Sequence, residues 1–365
     1  MKNWQETKIV FDKIQRLHEA NKRAALAMVV SIQGSTCRRP GAKLLVEEDG
    51  TMIGNVSGGC LENDVQEVAL EVFKKGKAQL VHYNTREEAD KVWGMGLGCE
   101  GQVDILIQPV DQERNALWVA SLQKHLIGDS PFALATLFNR DTYQAEMCIV
   151  DSNTAPKMGV QKSLGTDLTN EITDCLKKKV SSWFTLNEVH MFTEILTPPP
   201  SLIVCGAGND AVPLVHYATD AGFRVFVVDH RSSNLTPDRF PDAVKWVHRH
   251  PEEGVDGLPV DANSYVVLKG HTFVHDNEWL HQFLSTDVRY IGLLGPRLRQ
   301  EKILENIKEN EKSKIYGPIG LDLGGEGHEQ VALSIVSEIL TIWAGRIPQH
   351  LRDRKKSIHD LGSGR

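Results

Sequence analysis

Between Ser201 and Asp229 the chain carries one arrangement that leaves little choice of fold. A short apolar run, Leu202–Cys205, meets Gly206-Ala207-Gly208-Asn209-Asp210-Ala211, a helical pattern follows to about Ala221, and a second run, Arg224–Val228, closes on Asp229. Strand, glycine turn, helix, strand and acid in that order open a Rossmann-like unit. Gly206 permits the sharp turn, Gly208 withholds a side chain that would block a phosphate, and Ala211 lets the helix pack close. First-turn amides then face an anion. Asp229 is placed to accept ribose hydroxyls, which favours NAD, while Arg231 complicates the choice against the phosphorylated cofactor. The competing reading is that the glycines only allow a close helix crossing. Further apolar runs, Ser264–Leu268 and Tyr290–Leu294, alternate with helical patterns, so the sheet continues parallel. Near its end, Pro318–Gly325 forms a loop in which Asp322 either faces the cleft or caps a turn, before an apolar helix, Glu329–Trp343.

A chain of 365 residues exceeds what one core usually organises. The stiff segment Thr197-Pro198-Pro199-Pro200-Ser201 marks the division. Expected are an N-terminal α+β domain with a mixed sheet over residues 1–196, a proline linker at 197–200, a Rossmann-like parallel-sheet domain over 201–350, and a polar tail at 351–365. In the first domain Trp4–Asn21 reads as an amphipathic helix, Ala24–Ile32 as a buried strand, Lys43–Val46 as a strand, Leu61–Lys75 as a helix and Val103–Val110 as a strand. A helix to His125, a hairpin pairing Phe132–Phe138 with Tyr143–Val150, and a last strand Trp183–Phe192 follow. Three glycine-rich turns, Gly34–Gly41, Gly54–Gly59 and Gly94–Gly101, sit at strand ends, where functional loops gather.

Several function classes fall away on charge and composition. With 41 Lys plus Arg against 48 Asp plus Glu, the chain has no general basic field for nucleic acid. The longest apolar run, Ala24–Ile32, is too short to span a bilayer, and Met1–Val10 lacks a secretory pattern, so a cytoplasmic protein is expected. The cysteines, Cys37, Cys60, Cys99, Cys148, Cys175 and Cys205, show neither CxxC nor zinc spacing, so each is core filler or a reactive thiol.

Gly34–Val46 (GSTCRRPGAKLLV), Gly58–Val65 (GGCLENDV) and Gly96–Ile107 (GLGCEGQVDILI) resemble the XdhC/CoxI family, the maturation proteins of xanthine dehydrogenase and related molybdenum hydroxylases. So do Ile203–Gly208 (IVCGAG), Thr236–Ala243 (TPDRFPDA), Tyr290–Gly295 (YIGLLG) and Pro318–Gly324 (PIGLDLG) in the second domain. The resemblance implies a chaperone that binds molybdenum cofactor (molybdopterin) and delivers it to an apo-molybdenum hydroxylase of xanthine dehydrogenase type, with a cysteine desulfurase as a second partner. A homodimer is expected only because twofold dimers are the commonest assembly of soluble homo-oligomers. The sequence departs from the family at three places. Asn209 replaces a common histidine after GAG, Gly270-His271-Thr272-Phe273 stands for a TH-x-H segment, and Pro296 replaces a serine.

Such a cofactor presents a phosphate, a polar pterin and a dithiolene-held metal, so a carrier needs cations or amides and a soft group. Arg38 and Arg39 supply forked donors and Lys43 a point charge. Cys60 follows Gly58-Gly59 where a helix begins, a position whose dipole favours thiolate, and Cys99 lies in an open turn beside Gly98. Either thiol could contact molybdenum or carry a persulfide, or be a small core hydrophobe, and Cys37 could join them. Glu62 orients a neighbour or stabilises the first helical turn. The N-terminal thiols and the Rossmann turn, with Gly206, Gly208, Asp229 and Asp322, are expected to share the cofactor. The rival reading is an NAD(P)-dependent oxidoreductase, with His271, His275 or Asp276 as proton donor. None of His271, His275 and His328 completes a ligand pattern in the sequence.

Overall fold

The computed structural model describes residues 2–34, 36–84, 101–151, 166–270, 272–305 and 307–355. Gly98, Cys99 and His271, all singled out above, lie outside the described residues. The chain divides into two compact units, Met1–Pro198 and Pro199–Arg365.

Helix α1 (Lys2–Glu19) opens the first unit. Its apolar positions Phe11, Ile14 and Leu17 are buried on one face, and Asn21, at φ 51°, turns the chain out of the helix. Strand β1 (Ala24–Gly34) is buried from Ala24 to Val30 without a break, because both of its faces are covered. Ala25, Ala27 and Val29 pack with Val65, Ala69 and Val72 of helix α2 (Glu62–Lys75). Leu26, on the other face, joins Phe11 and Ile14 of α1, Val119 and Leu122 of α3 (Gln112–Ile127), and Leu134. Alternating faces that are both apolar explain why this strand reads as a continuous run.

Strands β2 (Lys43–Glu47), β3 (Met52–Gly54), β4 (Gln79–Asn84) and β5 (Gly101–Val110) complete a five-stranded sheet in the order β3-β2-β1-β5-β4. The α+β class stands, but every pairing in this sheet is antiparallel, where a mixed sheet is expected from the sequence. The crossover through α2 carries the chain from one edge strand, β3, to the other, β4, so the strands that run the same way, β1, β3 and β4 in one direction and β2 and β5 in the other, are never neighbours. A second antiparallel sheet follows, ordered β7-β6-β9-β8. In it β6 (Phe132–Asn139) and β7 (Gln144–Val150) form the expected hairpin, and α4 (Thr166–Lys178) packs Leu168 and Ile172 against Ala133, Ala135 and Met191. The single strand expected over Trp183–Phe192 is instead two, β8 (Ser182–Leu186) and β9 (Val189–Leu196), paired as a hairpin. Asn187 between them adopts φ 53°, a left-handed conformation that asparagine tolerates well.

The second unit is a parallel sheet of β10 (Ser201–Cys205), β11 (Arg224–Asp229), β12 (Lys245–His248), β13 (Ser264–Leu268), β14 (Tyr290–Leu293) and β15 (Ile315–Tyr316). Its order, β12-β11-β10-β13-β14-β15, is the 3-2-1-4-5-6 order of dinucleotide-binding folds. Helix α5 (Ala211–Asp220) follows the glycine turn, and α6 (Phe273–Leu284), α7 (Arg297–Leu304), α8 (Glu309–Lys312) and α9 (Gly327–Ala344) complete the unit. Strand order reverses between β10 and β13, which puts a crevice at their carboxyl ends, beside Gly206 and Lys269.

Candidate functional site

In the N-terminal unit the loop ahead of α2 is held by its own side chains. Glu62 accepts the amides of Val56 at 3.2 Å and Ser57 at 2.9 Å, and the Ser57 hydroxyl also donates to it. Ser57 Oγ in turn accepts the amides of Gly59 at 3.1 Å and Leu61 at 3.0 Å. Burial alone would raise the Glu62 pKa, but these hydrogen bonds outweigh it and hold the carboxyl below its ordinary range. Glu62 therefore positions the turn. Gly58, Gly59 and Cys60 are left exposed, and among the described residues the amides of Gly58 and Cys60 donate to no other group.

Cys60 lines a pocket with Thr36, Cys37, Arg38, Val56, Ser57, Leu61 and Val103. A Cβ placed on Gly58 would lie 3.5 Å from Cys37 Sγ, so the two loops touch and both thiols border one space. Arg38 donates to Glu6 through one arm, while its Nε is buried with no hydrogen-bond partner. A buried donor without an acceptor is costly, and an anionic group entering the pocket would relieve it. Arg39 is exposed.

Lys43 is not the phosphate-seeking charge expected from the sequence. It is 1% exposed, and its ammonium donates to Glu194 at 2.7 Å, Thr7 at 2.9 Å and the Gly41 carbonyl at 2.8 Å. All three donors are spent in the core, because Lys43 opens a strand whose two faces are both covered. Burial pushes the Glu194 pKa up, and Lys43 opposes that shift. Of the other thiols, Cys175 and Cys205 are buried, and burial pushes the pKa of Cys148 up to about 12.

In the C-terminal unit the glycine turn has the expected backbone and an unexpected occupant. Gly206 adopts φ 121°, and a Cβ there would lie 2.6 Å from the Lys269 carbonyl oxygen, so only glycine fits. Asp229, however, does not present its carboxylate to a ribose. It accepts the Ala207 amide at 2.6 Å and a fork from Arg231, Nε at 3.0 Å and Nη2 at 2.9 Å, with its side chain 1% exposed. Burial acts to raise its pKa, yet the Arg231 and Ala207 hydrogen bonds prevail and bring it down to about 2. Both oxygens are saturated, because the acid turns inward to cap the glycine turn.

Residues without a sequence signal complete the picture. Lys269, immediately after β13, pairs with Asp210 at 2.6 Å. Arg239, within the TPDRFPDA stretch, donates to the Ala207 carbonyl and to Asn209 Oδ1, both at 3.0 Å. Asn209 thus serves as an acceptor for that arginine. Asp276 accepts the Gly270 amide at 2.8 Å and Arg299 at 2.6 Å, so this candidate proton donor is a buried ion-pair member. Asp322 lies exposed and accepts the Gly324 amide at 3.3 Å, the turn-capping role of the two read from the sequence. His230, Arg231 and His275 line a pocket with Cys205, Gly206, Asp229, Gly270 and Trp279. Burial lowers the His230 pKa despite the neighbouring Asp229. Among the described residues no helix is long and apolar enough to cross a membrane.

Comparison with known proteins agrees with this two-part organisation. Residues 17–84 match the model of the XdhC and CoxI family, and residues 202–339 match the XdhC Rossmann domain. The chain is 29% identical to a protein of Bacillus subtilis named as a probable subunit of xanthine dehydrogenase, over 90% of this chain and 95% of that protein. It is 22% identical to the molybdenum cofactor insertion chaperone PaoD of Escherichia coli, over 88% of this chain and 84% of that protein. A crystal structure described as a xanthine dehydrogenase from Bacillus halodurans superposes with a TM-score of 0.73 at 27% identity, covering 92% of this chain and 96% of that one. On these matches, together with the glycine turns and the Rossmann strand order, the chain belongs to the XdhC/CoxI family.

Proposed function

We propose that this chain is an accessory protein of molybdenum hydroxylase maturation, which takes up molybdenum cofactor and passes it to an apo-hydroxylase of xanthine dehydrogenase type. The observation that carries the reading is the N-terminal pocket, which Cys37 and Cys60 line together with Arg38, whose Nε is unsatisfied, while the amides of Cys60 and of its exposed neighbour Gly58 donate to no other described group. That donor set suits the cargo, because thiols are soft ligands and guanidinium and amide groups bind phosphate or pterin oxygens. Bound there, the cargo presents its metal to a thiol and its anionic end to Arg38. The names of the relatives from Bacillus subtilis and Escherichia coli support the same role. Cys99, Arg39 and a desulfurase that supplies sulfur belong to this proposal, as does delivery from a homodimer.

The oxidoreductase reading is weaker, since Asp229 and Asp276 already bind within the protein. The deciding experiment loads the purified full chain with molybdenum cofactor, removes excess by gel filtration, and measures retained pterin by fluorescence after oxidation. Wild type retains pterin and restores activity to an apo-hydroxylase, while Cys60→Ser and Arg38→Ala each lower retention about tenfold. Equal retention by all three proteins rejects the pocket.

A further inference from the structure

Three histidines that have no ligand spacing in the sequence meet at the carboxyl edge of the C-terminal sheet. His230 directly follows β11, His250 follows β12 and caps a short 3-10 turn, and His275 lies in the first turn of α6. Their ring centroids are 5.1 Å apart for His230 and His250, 4.7 Å for His230 and His275, and 5.7 Å for His250 and His275. Three imidazoles that bind a tetrahedral ion at about 2.0–2.1 Å place their ring centroids about 5 Å from one another. The observed triangle brackets that value. Carboxyl ends of strands in an open parallel sheet are also where ligands of such folds bind.

The surroundings fit the same reading. His230 Nδ1 lies 3.5 Å from Asp229 Oδ1, the carboxylate pairing that commonly orients a ligating imidazole. Among the described residues neither ring nitrogen of His275 has a hydrogen-bond partner. An anion would meet the Asp229 carboxylate beside it, and Arg231 is already forked onto that acid.

We propose that His230, His250 and His275 form a three-imidazole site for a divalent transition-metal ion of the zinc, cobalt or nickel class, with an open coordination position toward the pocket lined by Gly206, Arg231 and Gly270. As the rings stand they pack edge to face, and among the described residues no three side chains already converge as a ligand set. Rotation about χ2, a broad torsion in histidine, turns a nitrogen of each ring inward. The His250 ring accepts the Glu253 amide, which also reaches the His250 carbonyl at 3.1 Å, so freeing the ring leaves that amide bonded. The open position admits water or an anionic ligand atom, as in sites with three protein ligands. This site is built from residues of the C-terminal unit alone and stands or falls independently of cofactor uptake.

Titration of the full chain with Co2+ and with Zn2+, followed by calorimetry and by cobalt absorption in the visible range, tests the site. Wild type and Cys60→Ser bind one equivalent with a tetrahedral cobalt spectrum. His275→Ala, and separately the exposed-position variant His250→Ala, weaken binding at least about 100-fold while leaving the far-ultraviolet circular dichroism unchanged. Three results overturn the proposal. They are no stoichiometric cobalt binding, binding that survives both histidine variants, and binding of inorganic phosphate in place of the metal that the same variants abolish.

Discussion

The two glycine turns, Ser57–Cys60 and Gly206–Asn209, share a local plan and reach opposite ends. Each joins a strand region to a helix, each contains a glycine at φ above 100°, and each has an acid that accepts backbone amides of the turn. In the N-terminal turn the acid is Glu62, in the first turn of the following helix, and it takes amides ahead of the glycines, so Gly58 to Cys60 stay exposed. In the C-terminal turn the acid is Asp229, at the end of the neighbouring strand, and it takes an amide within the turn while Lys269 and Arg239 tie down the rest. A glycine turn is therefore open or closed according to where its acid comes from. The sequence motif is stronger in the second, whereas the exposed thiols lie at the first.

The largest expected effect separates the two glycines. Gly206→Ala combines a left-handed backbone with a Cβ 2.6 Å from the Lys269 carbonyl, and should destabilise the C-terminal unit by about 4 kcal/mol, read from its transition in denaturant unfolding. Next comes the acid of the closed turn. The Asp229 carboxyl has a folded pKa of about 2, below its ordinary value, so its stabilisation is complete above the unfolded value and fades as pH falls toward 2. Asp229→Asn should thus cost about 2 kcal/mol at neutral pH, and the gap from wild type should close through acid unfolding between about pH 4 and about pH 2. A gap that is constant across this window would mean that the carboxylate charge does not hold the turn.

Smaller effects are expected in the open turn. Glu62→Gln loses a charged acceptor and should cost about 1–2 kcal/mol in the N-terminal unit, with faster alkylation of Cys60 as the turn loosens. Gly59→Ala comes last. Its φ of 110° strains any other residue, but a Cβ there has nothing within 4 Å, so the cost should be only about 1 kcal/mol. If Gly59→Ala proved as damaging as Gly206→Ala, the contrast between an open and a closed turn would be lost.

Legibility differed between the units for physical reasons. The Rossmann strands β10, β11 and β13 read cleanly because each is a short run, buried throughout except at Arg224, and bounded by turn residues. Strand β4 carries an exposed histidine and sits at a sheet edge, so its pattern is faint. Among candidate site residues, Cys60 and Arg38 do border one pocket, whereas Lys43 reads in sequence as a phosphate-seeking charge at the start of a strand and is a core ion-pair member. Nothing local distinguishes those two outcomes, because the partner, Glu194, is far away along the chain.

Local sequence determined the elements that depend on neighbours: the helices from their apolar spacing, the glycine turns from the need for positive φ, and the strand, turn and helix that open the parallel sheet. Only the tertiary structure decided which charges are spent and which remain open, since Asp229 meets Ala207 and Lys43 meets Glu194 through packing of distant segments. It likewise brought three scattered histidines to one edge. Hydrogen bonding and ion pairing saturate with whatever partner lies within about 3 Å, and that partner is chosen by the fold.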